Sequence, residues 1–221
     1  MKSVVALVPV KGNSERVAKK NIRNFANTNL LELKLSQLER TSCFSDIIIS
    51  SEDKEILNKV KSLGFNFHER NPKYSTSDIP MSSVYSYIAS EIHGEHIAWI
   101  NVTNPLVESK FYQDAVTSYS EMSNDYDCMP SAYKLQEYLI YREKLVNFSP
   151  NPWPKSQDLE DMYSLSFAIN QLKREDMISW GSTIGNKPKL FVLPQDISID
   201  IDTEEDFNYA EFLYKKRFNI E

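Results

Sequence analysis

The chain is predicted to fold as an α/β protein, three layers around a mostly parallel sheet with a small β-rich insertion. Three observations predict this. Strand-like and helix-like segments alternate from Val4 to Met129, the pattern of βαβ units. The first strand, Val4 to Val10, is a continuous apolar run, which suits burial on both faces of a parallel sheet. After Met129 the alternation gives way to paired short strands and prolines, and it resumes near the C-terminus.

Taken in order, Asp46 to Ser51 reads as a second buried strand. Ile56, Leu57, Val60 and Leu63 then share one helical face, with Gly64 as the stop. Phe65 to Phe67 forms a short third strand. A helix through Val84, Tyr87, Ile88 and Ile92 leads to the strand His96–Val102, in which Trp99 is core. Phe111, Ala115, Ser118 and Met122 mark another helix. His93 and His96 flank a Gly94-Glu95 turn and are expected at the surface. Tyr138–Tyr141 and Leu145–Phe148 flank Arg142-Glu143-Lys144 as in a β-hairpin, and the prolines of 149–154 forbid regular structure. Residues 132–165 are therefore read as an insertion beside the sheet, with aromatic content that makes it a candidate subunit contact. Lys189–Leu193 returns to the sheet. Thr203 with Asp206 resembles a capping box opening a last helix, which buries Phe207, Ala210 and Leu213. Glu204, Glu205 and Asp206 at its start and Lys215, Lys216 and Arg217 at its end suit the helix dipole.

The 221 residues, 41% of them hydrophobic, suffice for one substantial core, so a single domain over 1–221 is expected. A net charge of -6 argues against a nucleic-acid-binding surface. Cys43 and Cys128 alone make neither a disulfide framework nor a cysteine zinc site. No apolar run is long enough to span a bilayer and no signal-cleavage pattern follows the first strand, so no membrane partner and a cytoplasmic location are expected.

Against this acidic background, the segment after the first strand stands out as basic. It holds Lys11, Gly12, Asn13, Ser14, Arg16, Lys19, Lys20 and Asn21. A loop of small residues lets backbone N–H groups approach an anion, and the basic side chains can neutralise phosphates. Its spacing matches neither a Walker A loop nor the dinucleotide GxGxxG fingerprint. At the other end, Ile197-Ser198-Ile199-Asp200-Ile201-Asp202 alternates apolar and acidic residues. Read as a strand, it turns Ile199 and Ile201 inward and places Asp200 and Asp202 on one face. Paired carboxylates of that kind are relieved by a divalent cation, and oxygen-only ligands favour Mg²⁺ completed by waters and substrate phosphates. A strand with two solvated aspartates is the plain alternative.

Together these segments resemble the acylneuraminate cytidylyltransferase family, the CMP-sialic acid and CMP-Kdo synthetases. The family's opening P-A-R-G-G-S-x-R-I-P-x-K-N is similar to Pro9–Asn21, and its V-S-T-D-D-x-E-I to Ile49–Ile56. Its R-P-x-x-L-A-x-D-x-A-S-S is loosely matched by Arg70–Ser83, with Asp78 and Ser82 in place. Its L-Q-P-T-S-P-L-R is matched by Ile100–Val107, and its S-I-D-I-D-T-E-x-D in full by Ser198–Asp206. The matches run in the family's order over nearly the whole chain.

The resemblance implies a Rossmann-like nucleotidyltransferase that transfers CMP from CTP to a hydroxyl of a small acidic acceptor and releases pyrophosphate. It implies phosphate-handling roles for Lys11, Ser14, Arg16 and Lys20, and nucleotide contacts from Gly12, Asn13, Asn21, Arg70, Ser82 and Asn101. Asp200 and Asp202 match the metal-binding pair for Mg²⁺. Homodimerisation through the 132–165 element, and supply of CMP-sugars to lipopolysaccharide or capsule, belong to the same implication. Four departures stand out. Lys11 replaces an arginine, exchanging a planar fork for a point charge. Asn101 replaces a longer glutamine, and Val107 replaces a common arginine. In the acceptor segment, Ser166-Phe167 takes the place of an asparagine–glycine pair, which argues against ordinary sialic acid as acceptor. Asp200-Ile201-Asp202 is also a D-x-D, so a metal- and nucleotide-sugar-dependent glycosyltransferase remains as a second reading, and a non-catalytic nucleotide-binding paralogue as a third.

Overall fold

The computed structural model describes residues 2–12, 14 and 16–220. In chain order, β1 (Val4–Pro9) leads through the basic loop to α1 (Leu30–Glu39), then β2 (Asp46–Ser51), α2 (Lys54–Ser62) and β3 (Asn66–Glu69). Next come α3 (Met81–Glu91), β4 (His96–Trp99), α4 (Ser109–Ser120) and β5 (Cys128–Leu135). A small hairpin of β6 (Ile140–Tyr141) and β7 (Lys144–Leu145) precedes β8 (Met162–Lys173), α5 (Arg174–Trp180), β9 (Phe191–Val192) and α6 (Glu204–Phe218).

Seven strands form one sheet in the order β3-β2-β1-β4-β8-β5-β9. β1 pairs in parallel with β2 and β4, and β8 runs antiparallel to both β4 and β5. Because β1 is central, both of its faces are covered. Val4, Ala6 and Val8 enter one core with residues of α1, α2, α4 and α6, while Val5 and Leu7 enter a second with α3 and α5. The expected three layers and mostly parallel sheet are present.

The helix boundaries follow local chemistry. Asn29 and Asp53 cap α1 and α2 by accepting backbone N–H groups of the first turn. Gly64 takes φ +84 past the end of α2, the left-handed stop that glycine adopts without steric cost. Thr203 and Asp206 form the reciprocal capping box of α6.

Several expectations are corrected. Leu63 lies at the end of the α2 face and is 42% exposed. His96 is buried, because it opens a central strand between Val4 and Lys173, and its Nδ1 lies 2.9 Å from the Tyr119 hydroxyl. The hairpin turn has two residues, Arg142 and Glu143, both at positive φ, and Lys144 already belongs to β7. The ends of the 132–165 segment are strands of the main sheet, with Ala132–Leu135 paired to Met162–Leu165. Only 136–161 stands outside the sheet. Residues 198–202 are not a strand. A short 3₁₀ turn at Gln195–Ile197 precedes them, and the Ile201 N–H donates to the Thr103 carbonyl at 3.0 Å.

Candidate active site

Strand order locates the site. The chain passes from β1 outward to β2 and β3, then returns to β4 on the other side of β1. Ligands in open α/β sheets occupy the crevice at the carboxyl ends of the strands where the winding reverses. A cavity of about 200 Å³ lies there, lined by Lys11, Arg70, Met81, Tyr85, Trp99 and Asn101 among others. The Tyr85 and Trp99 rings meet edge to face at 4.8 Å, and Trp99 Nε1 donates to Asn101 Oδ1 at 3.1 Å. Two larger depressions, of about 900 and 910 Å³, flank α6 and the amino ends of β1 and β4. Neither lies at the switch point, so size does not select the site.

The floor of the cavity is an ion pair. Arg70 is 2% exposed and donates through Nη2 to the Val10 carbonyl at 2.8 Å and to Glu52 Oε2 at 2.6 Å. Glu52 also accepts the Gly12 N–H at 3.0 Å and the Ser75 hydroxyl at 2.8 Å. Burial works to raise the Glu52 pKa, but the bonds from Arg70, Gly12 and Ser75 outweigh it and hold the carboxyl below its ordinary range. Glu52 thereby joins the basic loop to the guanidinium. Gly12 has no room for a side chain, since a Cβ there would lie 2.1 Å from Asp53 Oδ2.

Asn21 is turned under the loop, where its Nδ2 donates to the Lys11 carbonyl at 2.9 Å and its backbone carbonyl accepts the Leu31 N–H. Lys11 is exposed at the cavity mouth and Ser14 is half-buried. Asn13 lies outside the described residues.

Tertiary folding brings the two ends of the chain together above this floor. Arg16 Nη2 meets Asp202 Oδ1 at 2.8 Å, and Lys20 Nζ donates to the Ile201 carbonyl at 2.6 Å. Arg23 forks onto both Glu204 oxygens at 3.0 and 2.6 Å. Burial lowers the Lys20 pKa, against the opposing pull of Asp202 and Asp200.

Asp200 and Asp202 occupy different surroundings. Asp202 is exposed, whereas Asp200 is half-buried and its Oδ1 is buried without a partner. Burial raises the Asp200 pKa, countered by a hydrogen bond with Thr103 and reinforced by the charge of Asp202. The backbone around it is clamped by the loop after β4. Ile201 binds Thr103, and Asn104 Nδ2 donates to the carbonyls of Ile199 and Ser166, each at 3.1 Å. Beneath that clamp Lys34, wholly buried on α1, donates to the Asn104 carbonyl at 3.0 Å and to the Tyr112 hydroxyl.

Lys11, Gly12, Arg16, Lys20, Asn21, Arg70, Asn101, Asp200 and Asp202 thus surround one end of the sheet. Ser82 does not join them. It faces a shallow depression with Tyr74, Trp180 and Gly181, and its neighbour Met81 lines the cavity instead. Among the described residues no group of three or more acidic, histidine or cysteine side chains forms a metal cage. Two carboxylates, one with an unpartnered oxygen, suit an ion completed by phosphate and water. Glu52, Thr103 and Asn104 were not singled out from sequence. Each acts on partners that only the folded chain brings near.

A family profile described as cytidylyltransferase matches residues 5–220. The chain is 23% identical over 222 residues to the pseudaminic acid cytidylyltransferase of Campylobacter jejuni, covering 96% of each chain. It is 24% identical over 233 residues to the CMP-N,N'-diacetyllegionaminic acid synthase of the same species, covering 96% of this chain and 95% of that one. In fold it is similar to a CMP:2-keto-3-deoxy-manno-octonic acid synthetase solved with CTP. The TM-score is 0.70 at 8% identity, over 97% of this chain and 99% of the other. No helix among the described residues is long and apolar enough to cross a membrane. With the profile spanning nearly all of its length, this chain belongs to the cytidylyltransferase family.

Proposed function

We propose that this cytidylyltransferase transfers CMP from CTP to a hydroxyl of a sugar acid, with Mg²⁺ held by Asp200 and Asp202. The observation that carries this reading is the meeting of Arg16 and Lys20 with the 200–202 segment beside the switch-point cavity. Basic groups for a triphosphate and carboxylates for its cation are then in one place, although they are 186 residues apart in the Arg16–Asp202 pair.

In this reading the cytosine and ribose enter the cavity, against Arg70, Asn101 and the Tyr85–Trp99 corner. Asn21 and Gly12 shape the loop over the phosphates. The acceptor oxygen forms a bond to the α-phosphorus as the bond to the bridging oxygen of pyrophosphate breaks. Lys11, Ser14, Arg16 and Lys20 hold the triphosphate and neutralise charge that shifts onto the leaving group, so catalysis is positioning and electrostatics. Mg²⁺, when bound, would supply Lewis-acid polarisation of phosphate and acceptor oxygens. Ser82, facing away, has no part in this scheme. A cytoplasmic homodimer that supplies CMP-sugar to lipopolysaccharide or capsule completes the reading, with 136–161 as the subunit contact.

The test is pyrophosphate release from CTP with Mg²⁺ over a panel of sugar acids, with ATP, GTP and UTP as controls. Release with CTP and a sugar acid is expected. CTP binding by calorimetry without turnover on any sugar acid would overturn the acceptor class, and absence of CTP binding would overturn the nucleotide site.

A further inference from the structure

α1 buries a leucine face, yet two polar side chains are buried within it. Lys34 is 0% exposed and Gln37 6%. Standing three residues apart, they share one side of the helix, and they grip consecutive carbonyls of the loop between β4 and α4. Lys34 Nζ donates to the Asn104 carbonyl at 3.0 Å, and Gln37 Nε2 to the Pro105 carbonyl at 2.8 Å. Ser109, at the start of α4, closes the contact by donating to the Gln37 carbonyl at 2.7 Å.

This arrangement is costly. Among the described residues Lys34 donates to neutral groups, the Asn104 carbonyl and the Tyr112 hydroxyl, with no carboxylate beside it. Gln37 Oε1 and Asn104 Oδ1 are buried without a partner. Apolar side chains on the same face would avoid these penalties, so packing does not account for the pair. What the pair holds is the support of the acidic segment. The Thr103 carbonyl accepts the Ile201 N–H at 3.0 Å, and Thr103 also bonds the Asp200 side chain. Asn104 Nδ2 donates to the Ile199 carbonyl at 3.1 Å. The backbone on both sides of Asp200 therefore hangs on residues 103 and 104. At its first turn the same helix holds the basic loop, where the Leu31 N–H donates to the Asn21 carbonyl at 3.0 Å. One helix thus sets the basic loop and the acidic segment relative to each other.

We infer that Lys34 and Gln37 are positioning residues that act through Thr103 and Asn104 to fix the Asp200 carboxylate against the basic loop. Both are buried, and their effect reaches a bound metal only through the loop that they hold. This rests on the metal role proposed above for Asp200. Groups that orient a metal ligand govern the affinity of the ion without touching it.

The test separates metal-linked from metal-free nucleotide binding, without turnover. Calorimetry measures affinity for a CTP analogue with a methylene α,β bridge, with and without Mn²⁺ as the probe for Mg²⁺, at one fixed pH. Wild type is expected to bind the analogue more tightly with Mn²⁺. Lys34→Met keeps an unbranched side chain but loses the donor. It is expected to lose about tenfold of that gain, the lower end for groups that orient a metal ligand, with metal-free affinity unchanged. Gln37→Met should act in the same direction, and it carries the test if Lys34→Met does not fold. A cycle with Asp200→Asn distinguishes positioning from general loosening, because in that background Lys34→Met is expected to cost nothing further. A full gain retained in the folded variants, or the same tenfold loss in the Asp200→Asn background, would overturn the inference. An Asp200→Asn protein that keeps the full gain would instead overturn the metal role on which the inference rests. Failure of the wild type to bind the analogue at all would overturn the nucleotide site.

Discussion

Asp202 and Asp200 show how residues two apart acquire different energetics. Asp202 is exposed, and its pair with Arg16, with both side chains at the surface, adds little to stability. Asp202→Asn is therefore expected to leave the thermal midpoint nearly unchanged. It should lower Mg²⁺-dependent turnover by about a hundredfold or more, the scale for removing one group that stabilises developing charge. Near-normal turnover would remove Asp202 from the proposed metal site. Asp200 carries a buried, unpartnered oxygen. Asp200→Asn should also stop turnover, yet raise stability at neutral pH, because burial and the neighbouring Asp202 charge disfavour the ionised carboxylate that the substitution removes; denaturant unfolding would read the gain. Lys34 gives the pH prediction. Burial lowers its pKa to about 7, from 10.5. Between those values the unfolded chain holds a proton that the folded chain has lost, so this group makes stability rise with pH, and its penalty is full below about 7. Lys34→Met loses two hydrogen bonds at every pH and escapes a penalty that is full below about 7 and fades towards 10.5. The variant should compare more favourably with wild type at pH 6 than at pH 9. Parallel melting profiles would show that Lys34 keeps its proton in the folded chain across that range.

At the scale of elements, the basic loop is held as a unit with α2. Gly12 donates to Glu52, and its α-carbon faces Asp53, the residue that caps α2. Gly12→Ala must push Asp53 away or lift the loop. The expected loss is about 1–2 kcal/mol if the cap breaks, with a raised KM for CTP because the phosphate loop shifts. A variant with wild-type KM and stability would show that the loop yields freely. The same elements show what could be read in advance. α2 and α6 were legible because caps and periodicity are local. α1 was not, because Leu30, Leu31, Leu33, Lys34, Leu35, Gln37 and Leu38 are all buried, two of them polar, and leave only the narrow polar stripe of Glu32, Ser36 and Glu39. β8 was hidden by its bulge and by the buried polar pair Asn170 and Gln171, which bind Thr183 and the Ala115 carbonyl. Residues 198–202 alternate like a strand, but their backbone partners are Thr103 and Asn104 rather than a neighbouring strand. The loop and acidic segment were legible as motifs. The cavity wall was not, because Met81, Tyr85 and Trp99 converge only through packing of α3 on β4. One step along α3 separates Met81, inside, from Ser82, outside.

For the whole molecule, the open question is what covers residues 136–161. Ile140 is 65% exposed, Tyr141 62% and Trp153 63%, while the rings of Tyr138, Phe148 and Trp153 pack edge-on or tilted with centroids 5.1–5.2 Å apart on this projection. A two-stranded hairpin is at best marginal alone in water, and a contiguous apolar patch of this kind marks an interaction surface. A second copy is the occupant that the proposed homodimer supplies. Sedimentation equilibrium should then find a dimer at micromolar concentration, and Ile140→Asp with Trp153→Ser should shift it to monomer while the sheet, which these residues do not enter, keeps its melting transition. The hairpin leaves the sheet through β5 and β8, on the far side of β4 from β1 and the switch-point cavity that the proposed nucleotide site occupies. Dimerisation would therefore buttress the acceptor side more than the nucleotide side. The monomeric variant should show a raised KM for the sugar acid with a KM for CTP close to wild type. A wild type that sediments as monomer would sink the homodimer. An equal loss towards both substrates would instead mean that the interface supports the whole site.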